Sequence, residues 1–134
     1  MIPERYAPVV YSVFRAVVGF LFLCHGLQKF GFFGGLDGKG GAVTLSTQFG
    51  AAAIIETVCG ILVMLGLFTR PAAFLASGMM AVAYFQVHYP GGPLPLLNMG
   101  EPAVLFCFAF LYIAARGAGP ISIDALMPGK KKRR

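Results

Sequence analysis

The chain has 134 residues, 57% of them hydrophobic and only 12% charged, with a mean hydropathy of +0.76. A water-soluble domain usually carries about twice that charged fraction, so an ordinary soluble enzyme is nearly excluded. Eleven Lys and Arg against five Asp and Glu give +6, yet five of the cations are Lys130, Lys131, Lys132, Arg133 and Arg134. Without that tail the body is close to neutral, which leaves no basic face for nucleic acid. A polybasic end beside apolar segments instead suits anionic lipid headgroups. Cys24, Cys59 and Cys107 are odd in number, lack CxxC spacing and sit in apolar runs, so they do not form a disulfide framework.

Residues 9–28 are apolar except for Arg15 and His25, and as a helix they would extend about 30 Å, enough to cross hydrocarbon. Arg15 interrupts the hydrophobic core that a secretory signal needs, and no small-x-small cleavage pattern follows, so the segment reads as a retained first span. Residues 31–41 are dense in glycine and read as a turn or mobile loop. A second span runs from near Phe49 to about Phe68. Thr69, Arg70 and Pro71 mark a tight turn, with the proline suited to the first turn of a third helix from Ala72 to about Tyr89. Pro90, Gly91, Gly92, Pro93 and Pro95 end it. The fourth apolar run, 102–115, is short for a crossing unless its helix starts among Leu96 to Met99.

The expected fold class is therefore all-α: an integral membrane four-helix bundle over residues 1–128, with helices at about 9–28, 49–68, 72–89 and 97–115, followed by the polybasic tail 129–134. Four helices with short connections put both termini on one side. Arg5, Arg70, Arg116 and the five tail residues share that side, against Lys29 and Lys39 on the other, which places the termini in the cytoplasm. Arg15, inside the first span, is free to snorkel toward the same surface.

Polar groups in hydrocarbon are costly, so a shared face and depth is informative. Arg15, Gly19, Gly26 and Lys29 fall in a narrow stripe of the first helix, with His25 beside Lys29 at i,i+4 spacing. Ala52, Glu56 and Gly60 form a stripe on the second helix, next to Cys59. Small residues there suit close helix approach, and Glu56 is expected to point into the bundle. With alternating helix direction, His25, Gln28 and Lys29 end the first helix on the outer side, Glu56 lies about 10 Å below the start of the second, His88 ends the third and Glu101 starts the fourth. The candidate site is thus Glu56, His25, Lys29 and Glu101, a cluster near the outer leaflet able to relay protons or to bind a quinone. Arg15, Asn98 and His88 are read as structural polar groups. Gln86, two residues before His88, should point roughly the opposite way. No HxxxH or ExxH spacing is present, so no metal is expected. Structural readings stand beside these: Glu56 as a buried partner of Lys29 or Arg15, the histidines as hydrogen-bonding groups at helix ends, and the cysteines as small packing residues, only Cys24 being placed for thiol chemistry.

Four segments carry a recognisable pattern: FRAVVGFLFLCHGLQKF at 14–30, IIETVCGILVMLGLFTRPAAF at 54–74, NMGEPAVLF at 98–106 and GPISID at 119–124. Together, over residues 15–124, they resemble the DoxX family of small four-helix membrane proteins. The resemblance implies a bacterial inner-membrane protein associated with oxidoreductases; family relatives include a small subunit of a thiosulfate:quinone oxidoreductase and a membrane partner of thiol-stress enzymes. It places emphasis on Arg15, His25, Gly26, Lys29, Glu56, Gly60, Arg70, Asn98, Glu101 and Asp124. The chain departs from the pattern near its end, where the basic residue that usually precedes the Ser is missing.

Three functions follow, in order. The first is a redox-linked subunit acting with a membrane or soluble oxidoreductase partner, its outer cluster either relaying protons or binding a quinone. No cofactor is expected within the chain, which has no CxxCH, four-Cys set or dinucleotide glycine fingerprint. The second is a non-catalytic accessory or assembly subunit of a membrane complex. The third is a small-molecule or proton permease, for which four short helices leave little room unless the protein forms a homo-oligomer.

Overall fold

The computed structural model describes residues 3–127, and the polybasic tail lies outside the described residues. Four main helices follow one another: α1 (Ala7–Lys29), α2 (Gln48–Leu65), α3 (Thr69–Ala83) and α4 (Glu101–Arg116), with a short α5 (Ile123–Leu126). There is no strand among the described residues. The stretch Glu4–Lys29 and helix α2 are each long and apolar enough to cross a membrane.

Local chemistry sets the helix boundaries. Thr47 caps α2, its hydroxyl accepting the N–H of Gly50 at 3.2 Å. The helix stops at Leu65 rather than near residue 68 because Gly66 turns left-handed at φ +71°. The N–H groups of Gly66 and Leu67 then fold back onto the carbonyls of Val63 and Leu62. Helix α3 opens at Thr69, with Pro71 in its first turn. Its α-winding ends at Ala83 and passes into a π turn, Tyr84–His88, and a 3-10 turn, Tyr89–Gly91, so the path expected to about Tyr89 is helical but unevenly wound. Helix α4 starts at Glu101, not near 97. Residues 94–100 turn back on themselves instead, the N–H of Leu97 and of Asn98 donating to Leu94 and that of Gly100 to Pro95. In the glycine-rich segment after α1, the backbone N–H groups of Lys39 and Gly41 donate to the Asp37 carboxylate at 2.8 and 3.1 Å and hold its carboxyl below the usual carboxylate range.

Helix α1 packs along α2 and α3 along α4, and these two hairpins meet more sparsely along α2 and α3. Glycine permits the α1–α2 approach: a Cβ on Gly60 would lie 2.7 Å from the Leu23 nitrogen, and one on Gly19 2.8 Å from the Met64 Cα. Gly60→Ala is expected to push the helices apart and cost about 1–3 kcal/mol. Gly78→Ala, where a Cβ meets nothing within 4 Å, should be neutral or stabilising. Melting temperatures of the two variants in one detergent check the contrast.

The core joins both hairpins, with the rings of Phe22 and Phe110 4.6 Å apart and Val63 and Ile113 fully buried. The Ser77 hydroxyl donates to the Cys107 carbonyl at 2.8 Å and ties α3 to α4. Outside, large apolar side chains such as Val13 and Phe20 on α1, Phe74 and Leu75 on α3, and Leu105 and Phe108 on α4 are exposed. Apolar surface on that scale belongs to membrane helices rather than to a water-facing bundle.

A clasp made by residues 117–127 closes one end. The Asp124 carboxylate accepts the N–H groups of Phe68 at 3.1 Å and Thr69 at 3.0 Å, capping α3 from a distant segment, and the Asp124 N–H donates to the Gly66 carbonyl at 2.8 Å. The Tyr11 hydroxyl donates to the Gly117 carbonyl at 2.5 Å. Arg15 does not snorkel. Its side chain is 2% exposed, and its guanidinium donates to the carbonyls of Val63 at 2.5 Å, Met64 at 2.9 Å and Ile121 at 2.6 Å. These carbonyls, two of them at the partially negative end of α2, replace the water the cation would otherwise seek. Arg70 repeats the device on the second hairpin, donating to the carbonyls of Ala114 and Ala115 at the end of α4.

Candidate functional site

Alternating helix directions bring the end of α1, the start of α2, the end of α3 and the start of α4 to the end of the bundle opposite the clasp. Lys29 is the last residue of α1, and Glu56 lies about 12 Å along α2 from its first residue. Gly26 lets the two helices touch at that depth, since a Cβ there would lie 2.7 Å from the Thr57 nitrogen. The Lys29 ammonium consequently reaches the Glu56 carboxylate, Nζ to Oε2 2.6 Å, with the side chains 13% and 5% exposed. This is a short, charge-assisted hydrogen bond sheltered from bulk solvent.

His25 stands one turn before Lys29, its ring edge-on to Phe106 of α4 at 5.7 Å. Phe106 in turn stacks on Phe110 at 5.9 Å, so the packed core orients the imidazole. The three polar residues open onto a cavity of about 600 Å³ lined from all four helices, within the usual size range for a small organic ligand. Its walls are mostly apolar, with Phe22, Ile55, Met79, Met80 and Phe106 inside, and Gln48, Gln86 and His88 add polar groups.

Glu101 does not belong to this cluster: it is exposed and does not line the cavity, although Pro102 and Ala103 do. Helical geometry turns Glu101 about 140° away from Phe106, which lines the cavity. Gln86 corrects a second expectation, since it lines the cavity together with His88. The two sit in the π turn, where the α-helical period that set them on opposite sides does not hold.

His88 Nδ1 lies 3.1 Å from the Asn98 carbonyl oxygen. The Asn98 side chain donates to the Gly92 carbonyl at 2.7 Å and accepts the N–H of Gly100 at 2.8 Å. Asn98 thus holds the loop that sets the start of α4. Gln28 donates to the Gly35 carbonyl at 3.2 Å and faces the glycine-rich loop. Cys24 and Cys107 are half-buried and Cys59 buried, all three as free thiols, and none lines the cavity. Reasoning from charged residues alone missed Gln48, Phe22, Phe106 and the methionines as cavity walls. Of these only Gln48, a polar residue at the mouth of a span, leaves a signal in the sequence.

Chemically the cavity offers hydrogen-bond donors at Lys29, a carboxylate at Glu56, imidazoles at His25 and His88, and aromatic and thioether walls. That set suits a flat, mostly apolar ligand with one or two hydrogen-bond acceptors.

No solved structure matches the chain. It is 43% identical over 125 residues to an uncharacterized protein of Haemophilus influenzae, covering 90% of this chain and 92% of that one. Residues 10–89 match DoxX, a stretch that carries Arg15, His25, Lys29, Glu56 and the α2–α3 turn. With that match, the chain belongs to the DoxX family.

Proposed function

We propose that the protein is a multi-pass subunit of the bacterial inner membrane, its four main helices crossing the bilayer with both termini cytoplasmic. It holds a quinone ring in the cavity near the outer leaflet while a partner oxidoreductase supplies electrons. One observation carries this reading: a mostly apolar cavity of about 600 Å³ in which Lys29, Glu56 and His25, from two helices, converge on one space. The membrane placement draws support from the exposed apolar side chains of α1, α3 and α4. The orientation draws on Arg5, Arg70 and Arg116 lying at the end opposite Lys29 and Lys39.

The residues fit a quinone in kind. Lys29 and His25 present hydrogen-bond donors to ring carbonyls, and Phe22 and Phe106 supply flat apolar walls. Glu56, Lys29 and His88 are groups able to take up and hand on protons. The redox couple belongs to the quinone when bound; the chain contributes binding, orientation and proton delivery. A non-catalytic assembly role is the second reading, favoured by the closure of Lys29 and Glu56 on each other at 2.6 Å.

Purification of the full chain from native membranes in mild detergent tests the proposal. Solvent extraction and mass spectrometry of the purified protein should find quinone together with a co-purifying oxidoreductase, and His25→Ala should lower the quinone content. A preparation carrying neither quinone nor oxidoreductase overturns the redox reading.

A further inference from the structure

The cavity is not sealed on every side, and the position of its opening says what kind of molecule can use it. Helices α2 and α3 are joined by the turn at 66–68, which Asp124 pins, and the cavity lies toward their opposite ends. At that end the Gln48 side-chain amide donates to the side-chain oxygen of Gln86. This polar bridge sits at the first residue of α2 and in the π turn after α3, at the level where the helices end. Directly below it the lining residues are apolar: Ala51 and Ala52 stand on one side, Val82 and Ala83 on the other. Ala51 is exposed and Val82 is 50% exposed, so this part of the cavity faces outward between the helices. The far wall is the reverse, with Glu56 4% exposed as a residue and Phe22 1%.

A ligand in this space meets a polar back wall, an apolar throat and a polar bar above the throat. A small water-soluble molecule arriving along the bundle axis has no use for the apolar throat. A molecule dissolved in the acyl-chain layer matches all three, with its hydrogen-bonding head at the back and its apolar chain running out between Ala51 and Ala52 on one side and Val82 and Ala83 on the other. We propose that the cavity is entered sideways from the lipid, through the cleft between α2 and α3 beneath the Gln48–Gln86 bridge, and takes an amphiphile with a compact head and a prenyl or alkyl tail. The inference rests on the quinone-site reading and adds the tail, its exit path and the residues that select it. The small side chain at position 51 is the specificity determinant, because Ala51 lies about 140° around α2 from Glu56, so a larger residue there fills the throat away from the polar wall.

The test compares two probes on the full chain in detergent: a benzoquinone bearing a ten-carbon alkyl tail and the same ring without a tail. Ala51→Trp, which blocks the throat, is expected to weaken binding of the tailed quinone by about tenfold or more, since even a few methylenes denied burial account for that ratio. The tail-less ring should bind within about twofold of wild type. Val82→Trp, from the opposite wall, should reproduce the pattern and guards against a folding defect in the first variant; melting temperature reports on both. If neither probe binds wild type, the quinone-site reading itself fails. If wild type binds both but the tryptophans weaken them equally, or weaken neither, the site stands and the lateral path is overturned.

Discussion

Glu56→Leu is expected to deplete the protein from membranes, and adding Lys29→Met to it should restore the abundance. The single change leaves the Lys29 ammonium, 13% exposed, without its carboxylate in a low-dielectric site, and breaking a buried pair from one side costs about 3–5 kcal/mol. Removing both charges replaces an ion pair with apolar groups of similar volume, which is often neutral or stabilising. Glu56→Gln keeps the shape and a hydrogen-bond acceptor for Lys29 but not the counter-charge, so its abundance should fall between that of wild type and of Glu56→Leu. Quantitative immunoblots of membrane fractions read these outcomes. The quinone content per molecule of purified protein should fall in both Glu56→Gln and the double variant, whatever their abundance. Full quinone content in the double variant would leave the pair as a helix fastener only.

Arg15→Ala carries the second large effect. It removes the donors from the carbonyls of Met64 and Ile121 and one of two donors from that of Val63. Buried carbonyls left without partners cost about 1–3 kcal/mol each, so a loss of about 3 kcal/mol is expected, more than a hundredfold in the folded-to-unfolded ratio. Arg15→Lys should recover only part of it, because one ammonium at the end of a flexible stem does not reproduce the planar fork that bonds three carbonyls on two segments. Thermal unfolding in detergent checks both variants. Gly66 constrains the same site: a Cβ there would lie 2.8 Å from Arg15 Nη1, at a backbone φ of +71°, so Gly66→Ala should destabilise as well. If Arg15→Ala melts like wild type, the guanidinium does not hold the α2 end to the clasp.

Much of the architecture was legible along the chain because the responsible forces act over one or two turns. The apolar runs show where α1 and α2 lie, Pro71 marks the start of α3, and the glycines at 19, 26 and 60 mark where α1 and α2 can touch. The pairing of Lys29 with Glu56 was also within reach, since two opposite charges on small-residue stripes have few other partners in an apolar chain. Glu101 does start α4, whose entry residues 94–100 set by turning on themselves around Asn98, but its place around the helix keeps it off the cavity that Pro102 and Ala103 line. Gln86 was misread because the helical period itself changes in the π turn.

Composition and order of residues were enough to establish an all-helical protein with membrane helices and to single out its few costly polar side chains, because hydropathy and helix periodicity are properties of neighbours in the chain. Where those polar groups end depends on residues far apart in sequence. Asp124 reaches back to Thr69 and Arg15 to Ile121, and Phe106 sets the ring of His25. The cavity is lined by residues of α1, α2, α3 with the turn that follows it, and α4. No stretch of sequence encodes that empty space, since it is bounded by four helices at once and exists only when all of them are packed.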